Sequence, residues 1–318
     1  MANKSHFNKG HIFLNHMKKN GINHSSFMNL ERPEKTQHAL FIEDAVKFLK
    51  KVPDGSVQLI LIDPPYNLDL AHWDTYENYL DWAKLWLNEI YRVLSDTGNC
   101  VIFGGFQYQD LKKGDLLEVL HYTRHNTKLR FVNLVIWYYK NGMSAHRFFA
   151  NRHEEVVWLS KTKKYYFDLD AVREPFDEVT KALYKKDKRL NPESVEKGKN
   201  PTNVWEIGRL NGNSLERVGH PTQKPLELIR RFVKSLSAPG ALVLDFFAGS
   251  GTTGRVCIEE GRNSILVDND KSLLDYFEQH EKSMHGLFSA TQYEVLREPD
   301  LKSFLENLHE QSHVATDI

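Results

Sequence analysis

Two stretches of the chain gather residue types that could do chemistry. In LILIDPPYNLDL, residues 59–70, four apolar residues run into Asp63, Pro64, Pro65 and Tyr66. Leu59 to Ile62 suits a strand buried on both faces. Prolines cannot donate to a sheet ladder, so that strand ends at or before Asp63. In ALVLDFFAGSGTTGRVCIEEGRNSILVDND, residues 241–270, a second apolar run ends in Asp245 and turns through Ala248, Gly249, Ser250 and Gly251 into a helix. A third ends in Asp268, 23 residues after Asp245. Three acids thus stand at carboxyl ends of strands, where open α/β sheets bind their ligands.

The glycines of the turn let a ligand approach the backbone, and an acid about 20 residues downstream is placed for ribose hydroxyls. No Gly-Lys-Ser/Thr follows, so the turn is not a P-loop, and the GxGxxG fingerprint is incomplete. A nucleoside-bearing cofactor without a pyrophosphate fits better than NAD or ATP, and S-adenosylmethionine is such a ligand. This cofactor gives Asp63 a task, because the tip carrying Asp63 is expected beside the tip carrying Asp245. Methyl transfer from a sulfonium to an exocyclic amine needs an in-line approach and no metal. The lone pair of an adenine or cytosine amine is, however, delocalised into the ring. A carboxylate accepting one N–H and a backbone carbonyl accepting the other would pull the nitrogen towards tetrahedral geometry and stabilise its developing charge. Asp63 offers the carboxylate, Pro64 the carbonyl, and the two prolines fix its direction. Tyr66 offers a face for a base flipped from a duplex.

These tips need a sheet to hold them. From residue 39 the texture alternates: a short strand, a helix over 44–51, a turn at Pro53-Asp54-Gly55, then the strand into Asp63. YENYLDWAKLWLNEIYRVLSDTG, residues 76–98, has apolar residues at helical spacing and is expected to stop at Gly98, its aromatic stripe serving the core. NCVIFGGF, NLVIWYYKNG and EEVVWLSKTKKYYF read as three further strands. Residues 161–218 lose apolar density, gain Lys and Arg, and read as an insertion of loops and short helices. The pattern resumes with a helix at 225–236, a strand at 241–245, a helix at 252–260 capped by Thr252 or Thr253, and a strand at 263–268. The expected fold class is therefore α/β, a Rossmann-like sheet with helices on both faces and an inserted region. Its divisions are a basic arm (1–38), a catalytic part (39–160), the insertion (161–218), a cofactor part (219–275) and a helical tail (276–318).

Composition narrows the class. Hydrophobic residues make up 41% of 318, and no run approaches the roughly 18 apolar residues of a membrane span. The start of the chain is polar and basic without the apolar stretch of a secretory signal. Cys100 and Cys257 are the only cysteines and form no CxxC pair, which argues against a zinc site or a disulfide framework. A cytoplasmic protein without membrane or metal is expected. The formal net charge of zero excludes a uniformly basic surface but not a local patch. Residues 1–38 carry Lys4, Lys9, Lys18, Lys19, Arg32 and Lys35 against Glu31 and Glu34. They read either as a solvated tail or as an arm lying along a polyanion. Arg147, Arg152, Arg173 and Arg189 are the candidates for reading base edges.

DPPY together with DFFAGSGTT resembles the paired signatures of amino-methylating DNA methyltransferases, and their order resembles the β class of that family. HPTQKP, residues 220–225, is similar to the segment preceding the cofactor motif in that class. GMSAHRFFANRHEE, DLDAVREPFDE, KRLNPESVEKG and RLNGNSLERVGHPTQKP also resemble adenine-N6 members of type II restriction-modification systems. The likeness covers most of residues 1 to about 270. Phe246 departs from it, where many relatives have proline, and so does Asp268, where many have glutamate. The resemblance implies S-adenosylmethionine as cofactor, duplex DNA as partner, and base-holding roles for Asp63, Pro64, Pro65 and Tyr66. It also implies cofactor contacts from Asp63, Pro65, Asp245, Phe247, Gly249, Ser250, Gly251 and Thr252, ribose contacts from Asp268, and Thr222 and Lys224 at the carboxylate end. Asp44 is a cofactor candidate that a helix N-cap role explains equally well. A homodimer is left open. An aspartate at position 63 favours adenine; serine there would favour cytosine N4, and asparagine a glutamine-directed protein methyltransferase. A non-catalytic DNA-binding protein on the same fold is the remaining alternative.

Overall fold

Nine strands form one sheet in this computed structural model, which describes residues 32–67, 76–106, 115–142, 144–147, 149–284 and 292–314. In chain order they are β1 (Lys35–Ile42), β2 (Val57–Ile62), β3 (Leu94–Gly104), β4 (Arg130–Tyr138), β5 (His153–Ser160), β6 (Val204–Glu206), β7 (Leu242–Asp245), β8 (Asn263–Asp268) and β9 (Gln292–Arg297). Across the sheet the order is β6-β4-β5-β3-β2-β7-β8-β1-β9. All neighbours run parallel except β5, which is antiparallel to both β3 and β4. Strand β2 pairs with β7 through Leu59–Val243 and Ile60–Leu244, and β7 with β8 through Leu242–Asn263 to Asp245–Leu266. This register brings Asp63, Asp245 and Asp268 to one edge, as their positions after apolar runs imply.

Helices cover both faces. On one face α1 (Ala45–Leu49), α2 (Tyr79–Val93) and α3 (Leu116–Asn126) pack with Trp86, Ile90, Phe48 and Leu87 fully buried. On the other, α6 (Leu226–Leu236) and α7 (Thr252–Glu260) bury Leu228, Phe232, Val233 and Val256. Between them in sequence lie α4 (Glu178–Lys186) and α5 (Pro192–Lys197), and after them α8 (Ser272–Met284) and α9 (Leu301–Val314). Helix α2 forms because Tyr79, Ala83, Trp86, Leu87, Ile90 and Val93 recur on one stripe, and the Asn78 side chain accepts from Asp81 N at 3.2 Å.

Several boundaries differ from the sequence reading. Strand β1 begins at Lys35, so the division at residue 38 cuts a strand whose Thr36, Gln37 and His38 are buried. The His38 ring meets Thr36 at 2.9 Å and Ser264 at 2.8 Å, and burial pushes it down to about 3. Arg32 is also tied down, donating to the Glu259 carbonyl at 2.6 Å. The rest of the expected arm, residues 1–31, lies outside the described residues.

Helix α2 stops at Val93, not near Gly98, because Leu94 turns extended and the polar Ser95-Asp96-Thr97 has no apolar face to bury. Strand β5 ends at Ser160; Tyr165 and Phe167 fold back against Trp158 in place of continuing it. The insertion supplies β6, which extends the main sheet beside β4. The tail is not wholly helical. Strand β9 pairs in parallel with β1, and Phe304 and Leu305 of α9 enter the core. The division at 275 falls inside α8.

Candidate active site

A cavity of about 350 Å³ opens at the edge where the parallel strands end. Asp63 follows β2 directly, and the Pro64-Pro65 pair ends the ladder and carries Tyr66 back over the acid. The Tyr66 hydroxyl donates to Asp63 Oδ1 at 2.7 Å. Lys224 Nζ donates to Asp63 Oδ2 at 2.6 Å. That ammonium lies over the rings of Tyr66 at 5.6 Å, Phe103 at 5.5 Å and Trp137 at 6.0 Å, a cationic head inside an aromatic box. Burial disfavours its charge, yet Asp63 and Glu154 together hold it above the usual lysine range. Lys224 was expected at the cofactor's carboxylate end. Here it is the partner of Asp63, drawn in by two carboxylates and three ring faces.

The acids at the tips of β7 and β8 are held mainly by backbone amides. Asp245 Oδ1 accepts from Phe247 N at 3.1 Å and Oδ2 from the Thr253 hydroxyl at 2.6 Å. Burial pushes the Asp245 carboxyl up to about 7, with Asp63 and Asp268 adding repulsion. Asp268 Oδ2 accepts from Gly249 N at 2.8 Å and Oδ1 from Asp270 N at 2.9 Å; burial raises it too. Gly249 sits at φ +49, and a Cβ there would lie 3.1 Å from the His220 ring. The left-handed backbone and the nearby His220 ring therefore both favour glycine at this point of the cavity wall. Helix α7 is capped by Gly251 in the left-handed region, not by a threonine. Thr252 and Thr253 are its first residues, and their hydroxyls go to Ser250 and Asp245. Gly251 does not line the cavity: its missing Cβ faces the Phe277 ring, 2.7 Å from where the atom would be.

Asp44, Pro64, Pro65, Tyr66, Thr222, Phe247, Gly249, Ser250 and Thr252 line the same cavity as Asp63, Asp245 and Asp268. Asp44 caps α1, accepting from Lys47 N at 2.9 Å, and also lines the cavity. Acids at three strand tips, a glycine turn and aromatic walls in one cavity suit a nucleoside sulfonium. The four arginines lie elsewhere. Arg147 is exposed, and Arg152 is partly buried beside Gly142. Arg189 is exposed and paired with Asp187 at 2.6 Å. Arg173 is spent inside the insertion, on Asp170 at 2.6 Å and the Gly198 carbonyl at 3.0 Å. Many insertion lysines are likewise paired: Lys181 and Lys185 with Glu196, Lys197 with Asp170, Lys199 with Glu174.

Glu154, Trp82, Tyr76, Arg209 and Arg217 line the cavity without having been singled out. Because β5 is antiparallel, its first residues lie at the edge where its neighbours end. Glu155 accordingly pairs with Gly104 at the end of β3. An acid opening an apolar strand was the available signal for Glu154. Trp82 was assigned to the core with its stripe; it stacks on Tyr76 at 4.0 Å and reaches the cavity, while Trp86 one turn on is fully buried.

Among known proteins, the family model described as DNA methylase matches residues 57–279. The type II methyltransferase M.HpaI of Haemophilus parainfluenzae is 31% identical over 267 residues, spanning 82% of this chain and 79% of that protein. The DNA adenine methyltransferase YhdJ of Escherichia coli strain K12 is 34% identical over 238 residues, 71% of this chain and 76% of its own. Among solved structures, the cytosine-N4-specific PvuII DNA methyltransferase superposes with a TM-score of 0.59 at 18% identity, covering 89% of this chain and 96% of its own. The M1.HpyAVI–SAM complex gives 0.53 at 22%, covering 78% and 98%. At those identities the structural likeness is one of fold.

Proposed function

The chain belongs to the DNA methylase family, and from that premise we propose that it methylates N6 of an adenine flipped out of duplex DNA, as the modification half of a restriction system. S-adenosylmethionine supplies a methyl group on a positively charged sulfur. The observation that carries the reading is the rigid acceptor at the tip of β2, set beside the two acids at the tips of β7 and β8. Asp63 accepts one N–H of the target amine and the Pro64 carbonyl the other, which localises the lone pair on nitrogen as it approaches the methyl carbon. Asp63 is also the acceptor through which the nitrogen sheds its proton. Tyr66 stacks on the base, Asp268 receives ribose hydroxyls, and the Trp82–Tyr76 wall keeps water from the transfer path.

Aspartate rather than serine at position 63 supports adenine over cytosine N4, as does the name of the 34% identical relative. The likeness of GMSAHRFFANRHEE, DLDAVREPFDE, KRLNPESVEKG and RLNGNSLERVGHPTQKP to the RsrI adenine methyltransferase makes GAATTC the expected site. Acids kept at the tips of β2, β7 and β8 argue against a non-catalytic binder. Methylation-sensitive sequencing of DNA from cells expressing the chain tests this reading. N6-methyladenine within GAATTC is the expected result; N4-methylcytosine, or no modified base, overturns it.

A further inference from the structure

Asp63 is already engaged before any base arrives. Its Oδ1 takes the Tyr66 hydroxyl and its Oδ2 the Lys224 ammonium. That ammonium lines the same cavity, within 6.0 Å of the Phe103 and Trp137 ring centroids. It therefore competes with a target amine for the Asp63 carboxylate. Stranding a buried ammonium without an anion would be strongly unfavourable.

A second anion waits beside it. Glu154, at the amino end of β5, has its Oε2 3.5 Å from Lys224 Nζ, longer than a normal charge-assisted hydrogen bond. The same oxygen is buried and accepts no hydrogen bond from any described residue. Among the described residues only the long contact from Lys224 reaches it, so its burial is poorly compensated. Around it stand Asp63, Lys224, Arg209 (its guanidinium 5.1 Å over the Tyr139 ring) and Tyr139. Lys224 is the ammonium that touches both acids.

The geometry points to Glu154 as a positioning residue that receives the Lys224 ammonium when the target amine takes Asp63, so that one lysine alternates between two carboxylates. The inference rests on the methyl-transfer reading of Asp63. The exchange moves no net charge into or out of the cavity, which is why a buried site can make it cheaply. A small rotation of the lysine stem shortens the Glu154 contact as the Asp63 contact lengthens. The neighbouring rings hold the cation throughout.

Single-turnover methyl transfer to duplex DNA, with the cofactor dissociation constant measured in parallel, tests this. Glu154→Gln keeps the shape but not the charge, and is expected to slow transfer by about tenfold, the loss when the competent state is that much less populated. Its cofactor affinity is expected to be unchanged. Glu154→Asp keeps the charge and should recover part of the rate. Lys224→Met in the Glu154→Gln background should be faster than Glu154→Gln alone, since no ammonium then needs a berth. A wild-type rate in Glu154→Gln, or a double variant no faster than the single one, overturns the inference. Should the Gln variant not fold, Glu154→Ala is compared with and without Lys224→Met: a double variant faster than the single one supports the exchange, and one no faster overturns it. If the unaltered chain labels no DNA, the methyl-transfer reading has failed and the inference falls with it, an outcome seen before any variant is compared.

Discussion

The acid at the tip of β2 and the acids at the tips of β7 and β8 are held by different kinds of donor. Asp63 is held by two side chains, a phenol at 2.7 Å and an ammonium at 2.6 Å, both on bonds that can rotate. Asp268 is held by two backbone amides, at 2.8 and 2.9 Å, and Asp245 by an amide and a hydroxyl fixed in the first turn of α7. Backbone donors cannot leave without unfolding the turn, so the cofactor half is a fixed mould. Side-chain donors can be replaced by a substrate, so the catalytic tip is an exchangeable one. The same residue type at the same place on three strands thus serves two purposes, separated by what satisfies its oxygens.

Removing the exchangeable acid should have the largest effect. Asp63→Ala is expected to lower the rate of methyl transfer by about 10² to 10³ in rapid-quench assays, the loss typical of one transition-state hydrogen-bonding group. A rate near the parent's would break the comparison at its centre. Distorting the mould should act on binding. Gly249→Val forces a branched side chain into a left-handed conformation, at about 1–2 kcal/mol, and towards His220. Relief comes only by moving the turn, so calorimetry should show cofactor affinity reduced by about tenfold.

The fixed acids should also be visible in stability. Asp245 is buried and its carboxyl is pushed up to about 7. The folded chain therefore keeps its proton where the unfolded chain has already lost it. The contribution of this group to stability is intact below the ordinary carboxylate range and is lost as pH rises through about 7. Asparagine can still accept from Phe247 N and donate to the Thr253 hydroxyl. Asp245→Asn should therefore melt above the parent at pH 8, with the gap narrowing as pH falls towards 5. A gap independent of pH would mean that the buried carboxyl carries no such cost. The smallest effects belong to the insertion. Arg173→Ala, which strips donors from Asp170 and the Gly198 carbonyl while Lys197 stays on Asp170, should cost about 1 kcal/mol of unfolding free energy. Arg189→Ala, on an exposed pair, should stay within about 0.5 kcal/mol in denaturant melts.

The mould was readable because its residues are local. The run Leu242 to Asp245, the small-residue turn and the run into Asp268 are each continuous, and parallel sheets place such strand ends together. Asp63 was readable for the same reason, with the two prolines marking where the ladder stops. What escaped depends on non-local geometry. Glu154 lies at the start of its strand and reaches the site only because β5 alone runs antiparallel. Trp82 and Trp86 share one helical stripe, and periodicity cannot say which of two such residues meets a cavity. The Lys224–Asp63 pair escaped because it depends on three rings, Tyr66 after β2, Phe103 of β3 and Trp137 of β4, standing around one ammonium. Strand β9 escaped because β1, its partner, lies more than 250 residues earlier in the chain.

The contrast between exchangeable and fixed acids is tested most directly by comparing Asp63→Ala and Asp268→Ala side by side, with S-adenosylmethionine affinity and single-turnover transfer at saturating cofactor measured on each. The expected pattern is crossed: Asp63→Ala loses rate and keeps affinity, whereas Asp268→Ala loses affinity and keeps most of the rate. Loss of the same quantity in both variants, or transfer by Asp63→Ala at the parent's rate, would contradict it.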